Sequence, residues 1–501
     1  MNLARGSASS IAGRTASRRR ISGLRILLAS ISALLFLRNL LYSFQMGPSL
    51  VMVAAILILA MSIMDAYAVA DSWLLTIVFA SIAYFNYSIV VANYLSVIEG
   101  SFFTSLAGDY VSMVGINVLL LFMATVTVLL PTDRHRAARI RLIDDKRGNM
   151  FLVLGISLAL IFILIYSFVR PDVSGVRGTP SELYEYSLIL FIVGYQFSGG
   201  KRFSISVLTA IMLLFVVQDI VYGGRATSIQ LVICWFLFVV SYRTRPIRVL
   251  PWATALYVLF SAVGSFRASF VVSGGGIGDL VAGLVKSRLT LDTAYSAYYT
   301  SLTFIKVEAL SSLDTRLGLF TKFLSSMVLG GSRVSGSSLG EYTYAYYTHY
   351  YGGLLPFYWH FYLGWFGVIL SGIIVSLYCR HINRVRTNGK QLVNAICIFF
   401  ACSVVRWYLY TPSDLIRGVG LTVFAYYFAS LVDAMTRGRP LVNDEPADQN
   451  SKSHDNDRPT VNEMHGGPVP RAMSAGDVHR RVRVQPQGRR GGAALEDPRR
   501  R

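Results

Sequence analysis

Apolar runs of about 18 residues or more recur along this chain, and each is long enough to cross about 30 Å of hydrocarbon as a helix. With 53% hydrophobic residues and a mean hydropathy of +0.50 over 501 residues, an ordinary soluble domain is excluded. The expected fold is an all-α polytopic membrane protein of about twelve transmembrane helices. The spans fall at 24–43, 49–69, 72–92, 110–130, 150–169, 183–199, 203–222, 226–242, 249–266, 355–378, 392–410 and 415–435. The sixth, LYEYSLILFIVGYQFSG, is short and polar at its start. Arg25 and Arg38 stand near the two ends of the first span, where long cationic side chains can snorkel to lipid headgroups.

Orientation follows from the distribution of Lys and Arg among the connecting loops. If the N-terminus with Arg18, Arg19 and Arg20 is cytoplasmic, every second connection from span four onward is basic: PTDRHRAARIRLIDDKRGN, GGKR, YRTRPIR, CRHINRVRTNGK and TRGRP. The alternate loops are poor in positive charge, which places the long polar segment after span nine outside. The organisation read from this pattern is a basic cytoplasmic N-terminus (1–23), helices 1–9 (24–266), one large external, periplasmic-side loop (267–354), helices 10–12 (355–435) and a cytoplasmic tail (436–501). The N-terminus lacks the apolar core and cleavage site of a removable signal peptide, so the first run is expected to remain as a span. The tail carries an acidic patch and an arginine-rich end with almost no aromatic residues, a composition of disordered chain that touches lipid or docks a pathway partner.

A net charge of +20 distributed over cytoplasmic loops and tail matches anionic lipid headgroups rather than nucleic acid, because no basic and aromatic residues interleave into a compact module. Cys234, Cys379, Cys397 and Cys402 lie in or at the ends of apolar spans, so they read as small core residues, with no external disulfide and no metal-ligand spacing. No GxxxxGK[ST], no nucleotide-binding βαβ unit and no HExxH occurs, and GGGIG at 274–278 lacks a following Lys. No cofactor is expected. An enzyme of this build needs a substrate already activated and delivered through the membrane.

On the outer side, Arg225 follows a Gly-Gly pair at the mouth of span eight, Arg267 ends span nine and Arg417 opens span twelve. Three arginines at outer helix ends can converge on one anionic group, because the planar guanidinium fork suits phosphate oxygens. Each can also snorkel or pair with an acid such as Asp219 or Asp414. Within the external loop, DLVAGLVKSRLTLDTAYSAYYTSLTFIKVEALSSL and LDTRLGLFTKFLSSMVLGG carry apolar residues at helical spacing, predicting one or two amphipathic helices along the membrane surface. Lys286, Arg288 and Lys306 on them can meet lipid or substrate phosphates, or simply face solvent. His349 can orient a diphosphate, transfer a proton or fill a polar pocket. Glu341 is the candidate base of the aromatic run that follows. Tyr347, Tyr350 and Trp359, with the neighbouring tyrosines, can stack on sugar rings or form an interfacial aromatic belt.

The arginine of GGRATSIQLVICWFLF at the outer start of a span, one large late external loop, the closing HYYGGLLPFYWHFYLGWFG and LIRG opening the last span together resemble the Wzy-type O-antigen and oligosaccharide repeat-unit polymerases. The resemblance runs from about span five to span twelve. It implies a metal-independent glycosyltransferase of the bacterial inner membrane that joins oligosaccharide repeat units on undecaprenyl diphosphate, by attack of an acceptor hydroxyl on the anomeric carbon of the growing chain. It further implies that Arg225 and Arg267 bind the diphosphate, with Arg417 a third and His349 orienting or protonating at the same site; Glu341 has no secure counterpart. Implied partners are the lipid-linked oligosaccharide, membrane lipids, and a chain-length regulator and flippase of the same pathway. The alternatives are an O-antigen ligase and a lipid-linked oligosaccharide flippase or transporter. The absence of an internal repeat and the clustering of charge at span ends weigh against transport.

Overall fold

Helices form at the apolar runs wherever the computed structural model describes them, that is, over residues 3–70, 72–95, 109–130, 142–143, 148–169, 179–222, 224–241, 251, 254–255, 258, 289–330, 333–349, 352–385 and 391–437. Their order is α1 (Leu3–Leu41), α2 (Pro48–Ala68), α3 (Trp73–Val90, extended by a π turn), α4 (Asp109–Leu129), α5 (Met150–Tyr166), a two-residue antiparallel pair β1 (Phe168–Val169) and β2 (Thr179–Pro180), α6 (Glu182–Glu185), α7 (Ser187–Phe197), α8 (Arg202–Val221), α9 (Ala226–Trp235), α10 (Asp292–Leu310), α11 (Leu313–Leu329), α12 (Leu339–Tyr344), α13 (Leu355–Val385), α14 (Gln391–Cys402), α15 (Val404–Leu409) and α16 (Ser413–Arg437). Among the described residues seven helices are long and apolar enough to cross a membrane, and three more, Met150–Tyr166, Ala226–Val240 and Gln391–Cys402, are apolar but shorter. The ninth expected span lies almost wholly outside the described residues, and the tail beyond Arg437 and residues 267–288 of the external loop lie outside them altogether.

Local chemistry sets several helix boundaries. Asn149, Ser181, Ser312 and Ser338 each accept a hydrogen bond from a backbone N–H in the first turn of α5, α6, α11 and α12 respectively, the usual way to satisfy donors that have no intrahelical partner. Proline opens α2 at Pro48, where a missing N–H costs nothing. The expected sixth span is broken at Tyr186 into α6 and α7. The eleventh is broken at Ser403 into α14 and α15. α13 kinks at Gly364, whose φ of 62° only glycine adopts readily.

Two groups of helices build the fold. α1, α2, α3 and α4 pack together and receive α13; α5, α7, α8, α9, α14 and α16 form the second group, with α14 also meeting α3. The packing inverts the soluble pattern. Asn39 donates to Asn117 at 2.9 Å, Asn86 donates to Ser62 at 2.9 Å and Tyr408 donates to Asn86 at 3.1 Å, all buried. Large apolar side chains such as Phe151, Leu158, Phe162 and Val221 instead stand exposed. Polar contacts between helices and an apolar exterior are what lipid demands of a bundle. The four cysteines are buried and unbridged.

Arg25 departs from the snorkelling expectation. It is 2% exposed and turns inward, donating to Asp65 Oδ1 at 2.9 Å and to the Thr127 carbonyl at 2.8 Å, while Thr127 donates to Asp65 Oδ2 at 2.7 Å. The second departure is α10. Instead of lying on the surface it packs against α3, α4 and α13. Small residues let it approach closely, and Ser301 is buried, accepting from the Leu354 N–H at 2.7 Å. α11 keeps the amphipathic character, with Leu319, Phe323 and Met327 buried and Leu313, Leu317, Leu324 and Val328 exposed along one stripe.

Gly418 is where α16 meets α14: a Cβ there would stand 1.9 Å from the buried Phe399 ring, whereas Gly420 has open space. Gly418→Ala is therefore expected to destabilise the purified protein by about 1–3 kcal/mol through overpacking. Gly420→Ala, a helix-favouring change, should be neutral or stabilising by up to about 1 kcal/mol. Thermal unfolding in detergent compares the two, and equal melting temperatures would refute the packing assignment.

Candidate functional site

A cavity of about 600 Å³ opens where α6, the start of α9, α11, the 334–341 segment, α15 and the start of α16 meet. Among the described residues it gathers three arginines, Arg225, Arg406 and Arg417, and five carboxylates, Glu182, Glu185, Asp219, Glu341 and Asp414. Tyr186, Tyr358 and Tyr410 add aromatic walls.

Arg225 immediately precedes α9, and the backbone is closed there by Asp219, whose Oδ2 accepts from the Ser228 N–H at 2.9 Å and its hydroxyl at 2.8 Å. That carboxylate complements the positive end of the helix. It also explains the glycine before Arg225: a Cβ on Gly224 would overlap Asp219 Oδ1. Arg225 itself makes two parallel bonds to Asp292 at the head of α10, 2.9 and 2.8 Å long. Burial opposes its charge, and Asp292 more than compensates, so the guanidinium sits above its ordinary pKa.

Arg406, on the short α15, donates Nη1 to Glu185 at 2.6 Å and Nη2 to the Thr227 hydroxyl at 3.2 Å. Asp414 Oδ2 lies 4.0 Å from the same guanidinium, and Arg406 Nε is buried without a hydrogen-bond partner among the described residues. Arg417 donates to Glu182 at 2.5 Å and lies over the Tyr186 ring at 5.1 Å. The Tyr186 hydroxyl donates to Asp414 at 3.1 Å. The result is a connected chain of alternating charge, Glu182, Arg417, Tyr186, Asp414, Arg406 and Glu185, along one wall.

The positions expected from the sequence fall in different places. Arg225, Arg417 and Glu341 line the cavity. Arg267, Arg288 and Tyr350 lie outside the described residues. His349 does not line it: the ring is 7% exposed, bonded through Nε2 to the Thr343 hydroxyl at 2.9 Å and edge-on to Tyr344, the polar-pocket alternative for this residue. Trp359 is also away from the lining, 8% exposed and edge-on to Phe320, and Tyr347 stands under the Lys306 ammonium at 5.4 Å. The acids that pair with Arg225 and Arg417 are Asp292 and Glu182, not Asp219 and Asp414.

Sequence reasoning missed Arg406, Glu185, Glu182 and Asp292. Arg406 had a readable signal, since it interrupts the apolar run AICIFFACSVVRWYLY and an ionisable residue inside a span marks a site by default. Glu182 and Glu185 sit one helical turn apart in SELYEYS, at a span end where acids look like simple solvated caps.

No protein-family model, curated protein or solved structure matches the chain.

Proposed function

We propose that this chain is a lipid-carrier-dependent glycosyltransferase that polymerises undecaprenyl-diphosphate-linked oligosaccharide repeat units into a surface or secreted polysaccharide on the outer face of the bacterial inner membrane. The observation that carries the reading is the convergence of three arginines and several carboxylates on one cavity, in a helix bundle that also exposes many large apolar side chains among its described residues. Transfer from a glycosyl diphosphate needs two things of a protein that supplies no covalent chemistry. Charge developing on the departing diphosphate must be neutralised, and the acceptor hydroxyl must be positioned and relieved of its proton. Guanidinium groups suit phosphate oxygens, carboxylates suit hydroxyls, and tyrosine faces suit sugar rings.

The span order read from the basic loops places the start of α9 and the start of α16 together on the outer side, with both termini cytoplasmic and the 267–354 segment external. A substrate borne by lipid arrives at that level without leaving the membrane. In this reading a flippase delivers the repeat unit and a chain-length regulator acts on the product.

Deleting the gene and examining the lipid-linked glycans tests the proposal. Single repeat units on the carrier, exposed at the outer face, with polymer lost, are the expected outcome. Full-length polymer left on its carrier would mean ligation instead, and repeat units trapped on the cytoplasmic face would mean flipping.

A further inference from the structure

The cavity wall poses a charge problem. With three arginines against five carboxylates among the described residues, a diphosphate that enters competes with these acids for their arginines, and an acid displaced in this way then faces an anion. Accepting a proton removes that conflict. The one proton the proposed reaction must release is that of the acceptor hydroxyl.

Of the five carboxylates, three have other commitments and a fourth, Glu341, is exposed. Asp219 is tied to the start of α9 through Ser228. Asp414 accepts from Tyr186 in the first turn of α16. Glu182, about half exposed, holds Arg417 at the rim. Glu341 is an exposed residue in the first turn of α12. Glu185 is different: its carboxylate is held by Arg406, and that pair is the less exposed one, 15% and 30%, against 23% and 41% for Arg225 with Asp292. Arg406 also has donor capacity to spare, because its Nε has no hydrogen-bond partner among the described residues.

We infer that Glu185 is the general base of the transfer and that Arg406 holds it idle until a phosphate takes the guanidinium, an inference that rests on the glycosyl transfer proposed above. In the step, the acceptor O–H proton passes to Glu185 and the oxygen forms the new bond to the anomeric carbon. The bond from that carbon to the diphosphate oxygen breaks, its electron pair stays on the diphosphate, and Arg406 carries the added charge. Glu185 then gives its proton to water at the cavity mouth. Coupling base release to diphosphate binding keeps the carboxylate from activating a hydroxyl before a donor is in place.

The test uses the full chain in proteoliposomes with a lipid-diphosphate-linked repeat unit, following both chain growth and free lipid diphosphate. Failure of the wild-type protein to elongate would overturn the polymerase reading and this inference with it. Given wild-type elongation, Glu185→Gln is expected to lower kcat by about 10²–10⁴-fold with little change in KM. A rate within about tenfold of wild type would overturn the base assignment alone. Azide needs no deprotonation, so it should rescue Glu185→Ala, giving a glycosyl azide and free lipid diphosphate; Arg406→Ala, which lacks the charge for the leaving group, should not be rescued. Azide rescue of neither variant would overturn the assignment. If the glutamine and alanine variants do not accumulate, Glu185→Asp is read instead: it keeps the carboxylate one methylene short, and an unchanged rate there would equally count against the base.

Discussion

Arg225→Ala is expected to lower polymer formation by about 10²–10³-fold, the usual loss when one fixed donor to a developing negative charge is removed. Protein level in the membrane should remain near wild type. The reason for the separation is geometric. Asp292, the carboxylate left alone, is 41% exposed, so water can replace the lost guanidinium, and a partly exposed pair of this kind contributes about 1 kcal/mol to stability. The functional loss has no such substitute, because Arg225 stands directly before α9 with its fork already oriented by two parallel bonds. Arg225→Lys should recover only part of the activity, since an ammonium keeps the charge and loses the bidentate geometry. The checks are glycan profiles of cells carrying each variant together with quantitation of the membrane-inserted chain. Full polymer from Arg225→Ala would remove the arginine from the site; loss of polymer together with loss of protein would make its role structural.

Why some of this was legible in the sequence and some was not comes down to the range of the forces involved. Span positions depend on local hydropathy, so the run 203–222 predicts a span and the helix is Arg202–Val221, and 110–130 corresponds to Tyr110–Leu129. Arg225 and Arg417 were readable because a cation beside a helix end in an apolar chain stands out. Their partners were not, because Asp292 and Glu182 are brought to them by folding across sequence separations of 67 and 235 residues. The α10 segment misled for a related reason. Its Thr, Ser and Tyr residues look like a solvated face, yet Tyr298 and Ser301 are buried, with Tyr94 bonded to Tyr298 and the Leu354 N–H to Ser301. Alternation of apolar and polar residues cannot distinguish water from a polar neighbour helix. The aromatic run after His349 divides in the same way: Tyr358 reaches the cavity and donates to the Tyr410 carbonyl at 2.9 Å. Tyr362 packs against Phe320 and Phe323.

The largest expected loss of stability belongs to the first helix group. Arg25→Met should destabilise the purified protein by about 3–5 kcal/mol, because it leaves Asp65 as a buried carboxylate without its cation. Asp65 is 0% exposed, and the Thr127 hydroxyl is too weak a donor to replace a guanidinium. Asp65→Leu alone should be comparably severe, stranding the Arg25 charge among α1, α2 and α4, where desolvation is costly. Combining the two changes removes both charges at once. Only the Thr127 hydroxyl and its carbonyl then lose partners, and a buried ion pair replaced by apolar side chains of similar volume is often neutral or even stabilising. The double variant should therefore recover most of the loss seen in either single one. Urea or thermal unfolding in detergent reads all four proteins on one scale. If the double variant were as unstable as the worse single one, the pair would be contributing more than mutual neutralisation. Its hydrogen bonds to Thr127 would then be what joins α1 and α2 to α4, and the cost would fall on the geometry of the bundle rather than on unpaired charge.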